Sequence, residues 1–158
     1  KLGKKLAEKN YAAVTGGGPG TMEAVNKGAF EAGGESIGIN MKYGFKERIN
    51  AYVKKSIGFQ FPFTRKLIIT APSNAFAFFP GGFGTLHQLF EVLTLVQTKK
   101  IEPMPIIMCN HRYWEPLHKF IKETMVHDFE TVGDKDDELY QIVDDEDSIV
   151  GLVEGEKK

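Results

Sequence analysis

Phe78-Phe79-Pro80-Gly81-Gly82-Phe83-Gly84-Thr85-Leu86 decides how the rest of the chain is read. Ahead of it, Ala75-Phe76-Ala77-Phe78-Phe79 is a short apolar run bounded by Ser73-Asn74 and Pro80-Gly81, the pattern of a buried strand. Behind it, Leu86, Leu89, Phe90, Leu93 and Val96 recur at helical spacing, which predicts an amphipathic helix from Gly84 to about Thr98. The join therefore runs strand, glycine turn, helix start. Gly81, Gly82 and Gly84 let the backbone come close to a ligand. The helix start offers N–H groups and the positive end of a dipole, to which Thr85 can add a hydroxyl donor, so an anion is favoured there.

A second loop of the same kind lies upstream. Val14-Thr15-Gly16-Gly17-Gly18-Pro19-Gly20-Thr21-Met22 follows an expected strand over Tyr11–Thr15 and opens an expected helix from Pro19 to Ala32. Met22, Val25, Asn26 and Ala29 mark that helix's inner face, and Gly33-Gly34 is placed to end it. Neither loop is a Walker A, since no Gly-Lys-Ser/Thr follows, and neither is a dinucleotide fingerprint with its acidic partner in place. One Pro-Gly-Gly can be a plain turn. Two strand-to-helix glycine loops favour a small ligand that carries a phosphate.

The alternation continues. Strands are expected over Ser36–Asn40, Tyr52–Gly58 and Met104–Cys109, with a last short extended piece at Tyr140–Val143. Met41–Ala51 reads as a loop with a short helix. Phe61–Ile69 reads as a helix with Pro62 in its first turn, stopping before Pro72. A helix from Tyr113 to Val126 is expected to turn Trp114, Leu117, Phe120 and Ile121 inward. Asp144-Asp145-Glu146-Asp147 suits the start of a closing helix anchored by Ile149, Val150, Leu152 and Val153, with a frayed end over Glu154–Lys158. Asp134-Lys135-Asp136-Asp137-Glu138 lacks the spacing and central glycine of a calcium loop and reads as a solvated segment. The pattern is that of an α/β, doubly wound Rossmann-like sandwich with a mostly parallel sheet, and ligands in such sheets bind at the carboxyl ends of the strands.

A chain of 158 residues with 42% hydrophobic content reads as one domain over residues 1–158 with one core. With 20 basic against 21 acidic residues, no basic field is available for nucleic acid and no polybasic segment for a membrane surface. The expected compartment is the cytoplasm. Cys109, the one cysteine, sits in the apolar run Ile106–Cys109 and reads as a buried structural thiol. No metal site is expected, and no cofactor. Nothing marks the Schiff-base lysine of a pyridoxal-type decarboxylase.

Three blocks, Gly16-Gly17-Gly18-Pro19-Gly20-Thr21-Met22-Glu23-Ala24, Phe63-Thr64-Arg65-Lys66 and Pro80-Gly81-Gly82-Phe83-Gly84-Thr85, resemble the signature of the LONELY GUY family. That family consists of phosphoribohydrolases that release a free base from a nucleoside 5′-monophosphate of the AMP or cytokinin ribotide type. The resemblance runs from about Leu6 to about Val150. It implies a phosphate and nucleotide cradle made of Gly17, Gly18, Gly20 and Thr21 with Pro80, Gly81, Gly82, Phe83, Gly84 and Thr85. It also implies a catalytic role for Arg65 with Lys66 beside it, and a homodimer or higher homo-oligomer. Exposed aromatics around Phe59-Gln60-Phe61 and the helix Gly84–Thr98 are plausible contact faces. The family's first strand would lie upstream of Lys1, so the amino end is expected to be trimmed.

One position departs. The family's last block ends in Glu, where this chain has Gln88. Cleavage of an N-glycosidic bond passes through an oxocarbenium-like state that a carboxylate steadies. Gln keeps one acceptor and gains two donors but cannot take a proton. Glu23 and Glu91 are the candidate stand-ins, ahead of His87, which is expected on the surface. Two readings of different class follow: a working phosphoribohydrolase, or a nucleotide-binding protein that kept the cradle and lost or weakened the chemistry.

Overall fold

The computed structural model describes residues 1–42 and 49–155. The chain divides into two compact units, residues 1–72 and 73–158, and each holds its own three-stranded sheet with every described pairing parallel.

In the first unit the order is α1 (Leu2–Glu8), β1 (Ala13–Thr15), α2 (Thr21–Glu31), β2 (Ser36–Met41), β3 (Lys55–Phe59) and α3 (Pro62–Thr70). The sheet order is β1-β2-β3, with Ala13 opposite Ser36 and Ile39 opposite Ile57. α2 ends as its two glycines require. Gly33 sits at φ +78°, its N–H reaches Phe30 O, and Gly34 N–H reaches Ala29 O, the paired bonds of a left-handed helix stop. Pro62 occupies the first turn of α3, where its missing N–H costs nothing.

In the second unit the order is β4 (Phe76–Phe78), α4 (Phe83–Gln97), β5 (Ile106–Cys109), α5 (His111–Lys119), β6 (Gln141–Val143) and α6 (Glu146–Gly155), with sheet order β4-β5-β6. β5, the central strand, is buried along its whole length. Leu89, Val92, Leu93 and Val96 of α4 pack in this unit's core with Trp114, Ile149 and Val150. Strands that alternate with helices and pair only in parallel are the doubly wound Rossmann-like arrangement that the periodicities predict.

Three expectations need correction. Met22 does not belong to the buried face of α2; Asn26 and Ala29 are its buried residues, while Met22 leans out over Gly16 and Gly18. Phe120 is exposed rather than inward. From Phe120 to Asp128 the helix winds as a π-helix, so the buried side chains Ile121 and Val126 fall five residues apart and the 3.6-residue phase of α5 is lost. The strand expected over Tyr52–Gly58 covers Lys55–Phe59, because Asn50 accepts the Tyr52 N–H through Oδ1 at 3.1 Å and holds residues 50–53 in a turn. Of the loop expected over Met41–Ala51, residues 43–48 lie outside the described residues, as do 156–158 of the frayed end. Among the described residues no helix is long and apolar enough to cross a membrane.

Candidate functional site

The first glycine loop leaves the carboxyl end of β1 and is tied down by side chains. Thr15 Oγ1 accepts the Gly17 N–H at 2.9 Å and donates to Asn26 Oδ1 at 2.6 Å. Asn26, buried on α2, donates through Nδ2 to Ser36 Oγ at 2.9 Å. Asn50 crosses the loop from the far side: its backbone N–H reaches Gly17 O at 2.8 Å, and its Nδ2 lies 3.1 Å from Gly17 O, 3.1 Å from Gly18 O and 3.0 Å from Asn26 Oδ1. Gly17 and Gly20 hold φ of +71° and +75°, a region open to glycine and closed to most other residues. Gly20 is the residue before Thr21, the first of α2, so the loop delivers the chain straight into a helix start.

Arg65 comes to this loop from α3. Its Nε donates to Ile39 O at 2.6 Å, and its guanidinium points Nη2 at Gly16, where an added Cβ would sit 2.2 Å from that atom. A guanidinium is a planar fork whose geometry suits a phosphate or a diol. Lys66 is half-buried on the same helix, and Glu23 is half-buried in the first turn of α2.

The second loop is built differently. Gly82 caps α4, accepting the Thr85 N–H at 2.9 Å and the Leu86 N–H at 3.2 Å. Thr85 folds back so that a Cβ on Gly81 would meet its Oγ1 at 2.2 Å, which is why glycine stands there. A Cβ on Gly82 or Gly84 would meet nothing within 4 Å, and Phe83 between them is 91% exposed. What holds the loop is α5: the Tyr113 hydroxyl donates to Gly81 O, and the buried Trp114 donates through Nε1 to Phe78 O at 3.2 Å and Cys109 O at 3.1 Å. Asn110 caps that helix by accepting the Tyr113 N–H at 2.9 Å. Gln88 and Glu91 are half-buried along α4, and His87 is exposed, as its place on the helix predicts.

In the first unit, then, the structure brings Arg65 to Gly16–Thr21, and in the second it brings Thr85 to Gly81. The sequence reading missed Asn50 and Tyr113. Asn50 has no periodic segment around it, and Tyr113 reads as an ordinary helix residue until its hydroxyl is seen on Gly81. The buried thiol of Cys109 is as expected, and desolvation pushes its pKa up to about 12. Among the described residues no three His, Cys, Asp or Glu side chains are grouped to hold a metal ion.

Fold and loops together define a doubly wound α/β protein with two glycine-loop helix starts. The family model described as "Possible lysine decarboxylase" matches residues 22–153, so the chain belongs to that family, the one its three motif blocks resemble. Among its relatives, the probable cytokinin riboside 5′-monophosphate phosphoribohydrolase LOGL2 of Oryza sativa subsp. japonica is 31% identical over 82% of this chain and 54% of its own length. The cytokinin riboside 5′-monophosphate phosphoribohydrolase LOG1 of Arabidopsis thaliana is 30% identical over 82% of this chain and 62% of its own. The chain thus spans between half and two thirds of the length of these relatives. The molybdenum cofactor binding protein of Rippkaea orientalis shares the fold with a TM-score of 0.71 at 20% identity, covering 98% of this chain and 82% of that one. The molybdenum cofactor carrier protein of Chlamydomonas reinhardtii does so with 0.67 at 22%, over 98% of this chain and 82% of that one.

Proposed function

We propose that this protein hydrolyses the N-glycosidic bond of a nucleoside 5′-monophosphate, of the AMP or cytokinin ribotide type, to free base and ribose 5-phosphate. The observation that carries the reading is Arg65, held by Ile39 O against the first glycine loop in a chain whose relatives are named phosphoribohydrolases. Each glycine loop offers a helix start to a phosphate, and Thr85 adds a hydroxyl at the second. Arg65 supplies a charge that survives desolvation at a phosphate or ribose oxygen. Departure of the base leaves positive charge on the sugar, and water takes its place at the anomeric carbon. Glu23 or Glu91 would carry the proton transfers that Gln88 cannot. The reading includes a homo-oligomer, with the exposed Phe61 in the contact face expected around Phe59-Gln60-Phe61.

Gln88 favours a second reading, a nucleotide-binding protein of the same fold with weakened catalysis. One assay separates the two. The full chain is incubated with AMP and other monophosphates, and free base is followed by chromatography. Steady release supports the hydrolase. Binding without release supports the second reading, and absence of binding overturns both.

A further inference from the structure

Three asparagines surround the first glycine loop, and two of them are spent on holding it. Asn26 uses Oδ1 and Nδ2 on Thr15, Asn50 and Ser36, and Asn50 uses its amide on Gly17, Gly18 and Tyr52. Asn40 is the exception. It lies near the carboxyl end of β2, is 2% exposed, and neither its Nδ2 nor its Oδ1 has a hydrogen-bond partner among the described residues. Its Cβ is 3.8 Å from where a Cβ on Gly17 would stand, so it flanks the loop at its positive-φ residue. The neighbouring Ile39 carbonyl is the one that anchors Arg65.

Leaving a buried amide unpaired costs on the order of 1–3 kcal/mol per group, and an apolar side chain of the same shape avoids that cost. A carboxamide kept there is explained by a partner that arrives from outside the described residues. We infer that Asn40 reads a sugar hydroxyl of the bound ligand. The inference rests on the reading of Gly16–Thr21 as a phosphate cradle. The groups that lie beside a 5′-phosphate are the oxygens of its own sugar, and a hydroxyl is donor and acceptor at once, as the carboxamide is. Asn40 therefore distinguishes a sugar phosphate from phosphate alone.

The test compares inorganic phosphate, ribose 5-phosphate and AMP as ligands of the full chain, by thermal shift and by titration. The variants are Asn40→Leu, which keeps the branching at Cγ without the polar atoms, and Asn40→Ala, in case the larger leucine prevents folding. Wild type binds the two sugar phosphates more tightly than phosphate. Each variant keeps phosphate binding within twofold and loses about tenfold for the sugar phosphates, the scale of one hydrogen bond lost to a paired group. Variants that retain the full preference for sugar phosphates overturn the role of Asn40 and leave the nucleotide reading standing. A wild type that binds no sugar phosphate better than phosphate overturns the nucleotide reading, and this inference with it. Loss of folding in both variants shows the amide to be needed by the fold itself, and overturns the inference alone.

Discussion

The two glycine loops share a local sequence logic, strand then glycines then helix, and differ in how they are held. Gly16–Thr21 is strapped by Thr15, Asn26 and Asn50, uses two glycines at positive φ, and has the Arg65 guanidinium laid on it. Pro80–Thr85 is tethered at Gly81 by Tyr113, crowded there by Thr85, and open around Gly82 and Gly84. One loop is preorganised by side chains from β1, α2 and the segment before β3. The other relies on the helix it opens and on one hydroxyl from α5. The difference teaches that a glycine motif specifies what the backbone can do, while side chains far away in sequence decide whether that conformation is already in place before a ligand binds.

The largest effect expected from breaking this contrast is at Arg65. Arg65→Ala should lower kcat/KM for base release by on the order of 100-fold, the usual scale for losing one preorganised charge-stabilising donor. It should also cost about 1 kcal/mol of stability in a denaturant melt, because the bond to Ile39 O goes with it. An activity within threefold of wild type would make the arginine a brace for β2 and nothing more.

The second effect is at Gln88. Gln88→Glu should raise the rate of base release at least tenfold, since a placed carboxylate contributes roughly 10²–10⁴ in proton-transfer catalysis. An unchanged rate, measured beside Glu23→Gln and Glu91→Gln, would assign the proton transfers to whichever of those variants loses activity.

A pair of glycine substitutions then tests the contrast itself. Gly17→Val should destabilise the protein by about 1–2 kcal/mol, because a branched residue is forced into the left-handed region. Gly82→Val should cost under about 1 kcal/mol, since φ is −91° and nothing lies within 4 Å, the loss being that of a good helix cap. It should nonetheless remove most of the thermal shift produced by AMP. Equal stability losses in the two variants would erase the distinction between a strapped loop and an open one.

The smallest effect separates the units by pH. Cys109 and Tyr140 belong to the second unit, and desolvation is the main reason each has its pKa raised to about 12. Below about pH 7.5 both are neutral whether folded or unfolded, so neither contributes a pH dependence. Between about pH 8 and 12 the unfolded chain gives up these protons, Cys109 first and Tyr140 from about pH 10, while the folded one holds them, so stability falls as pH rises. Fluorescence of Trp114, the one tryptophan, follows this in the second unit. Cys109→Ala should narrow the window to that of Tyr140, from about pH 10 upward.

By itself the sequence determined the alternation of strands and helices, both glycine loops, the stop of α2 at Gly33, the start of α3 at Pro62 and the buried thiol of Cys109. Each of these is local, written in apolar spacing or in residues with a restricted backbone, and so it can be read along the chain. Tertiary structure alone decided that Arg65 rests on Gly16, that Tyr113 holds Gly81, and that Asn50 closes over Gly17 from 33 residues away. It also decided the exposure of Met22 and Phe120, the first because the loop offers it a surface and the second because a π-helical stretch resets the phase. Polar side chains carry no period. Asn26, Asn40 and Asn50 are the same letter in the sequence, and only the folded chain separates the two that are satisfied from the one that is not.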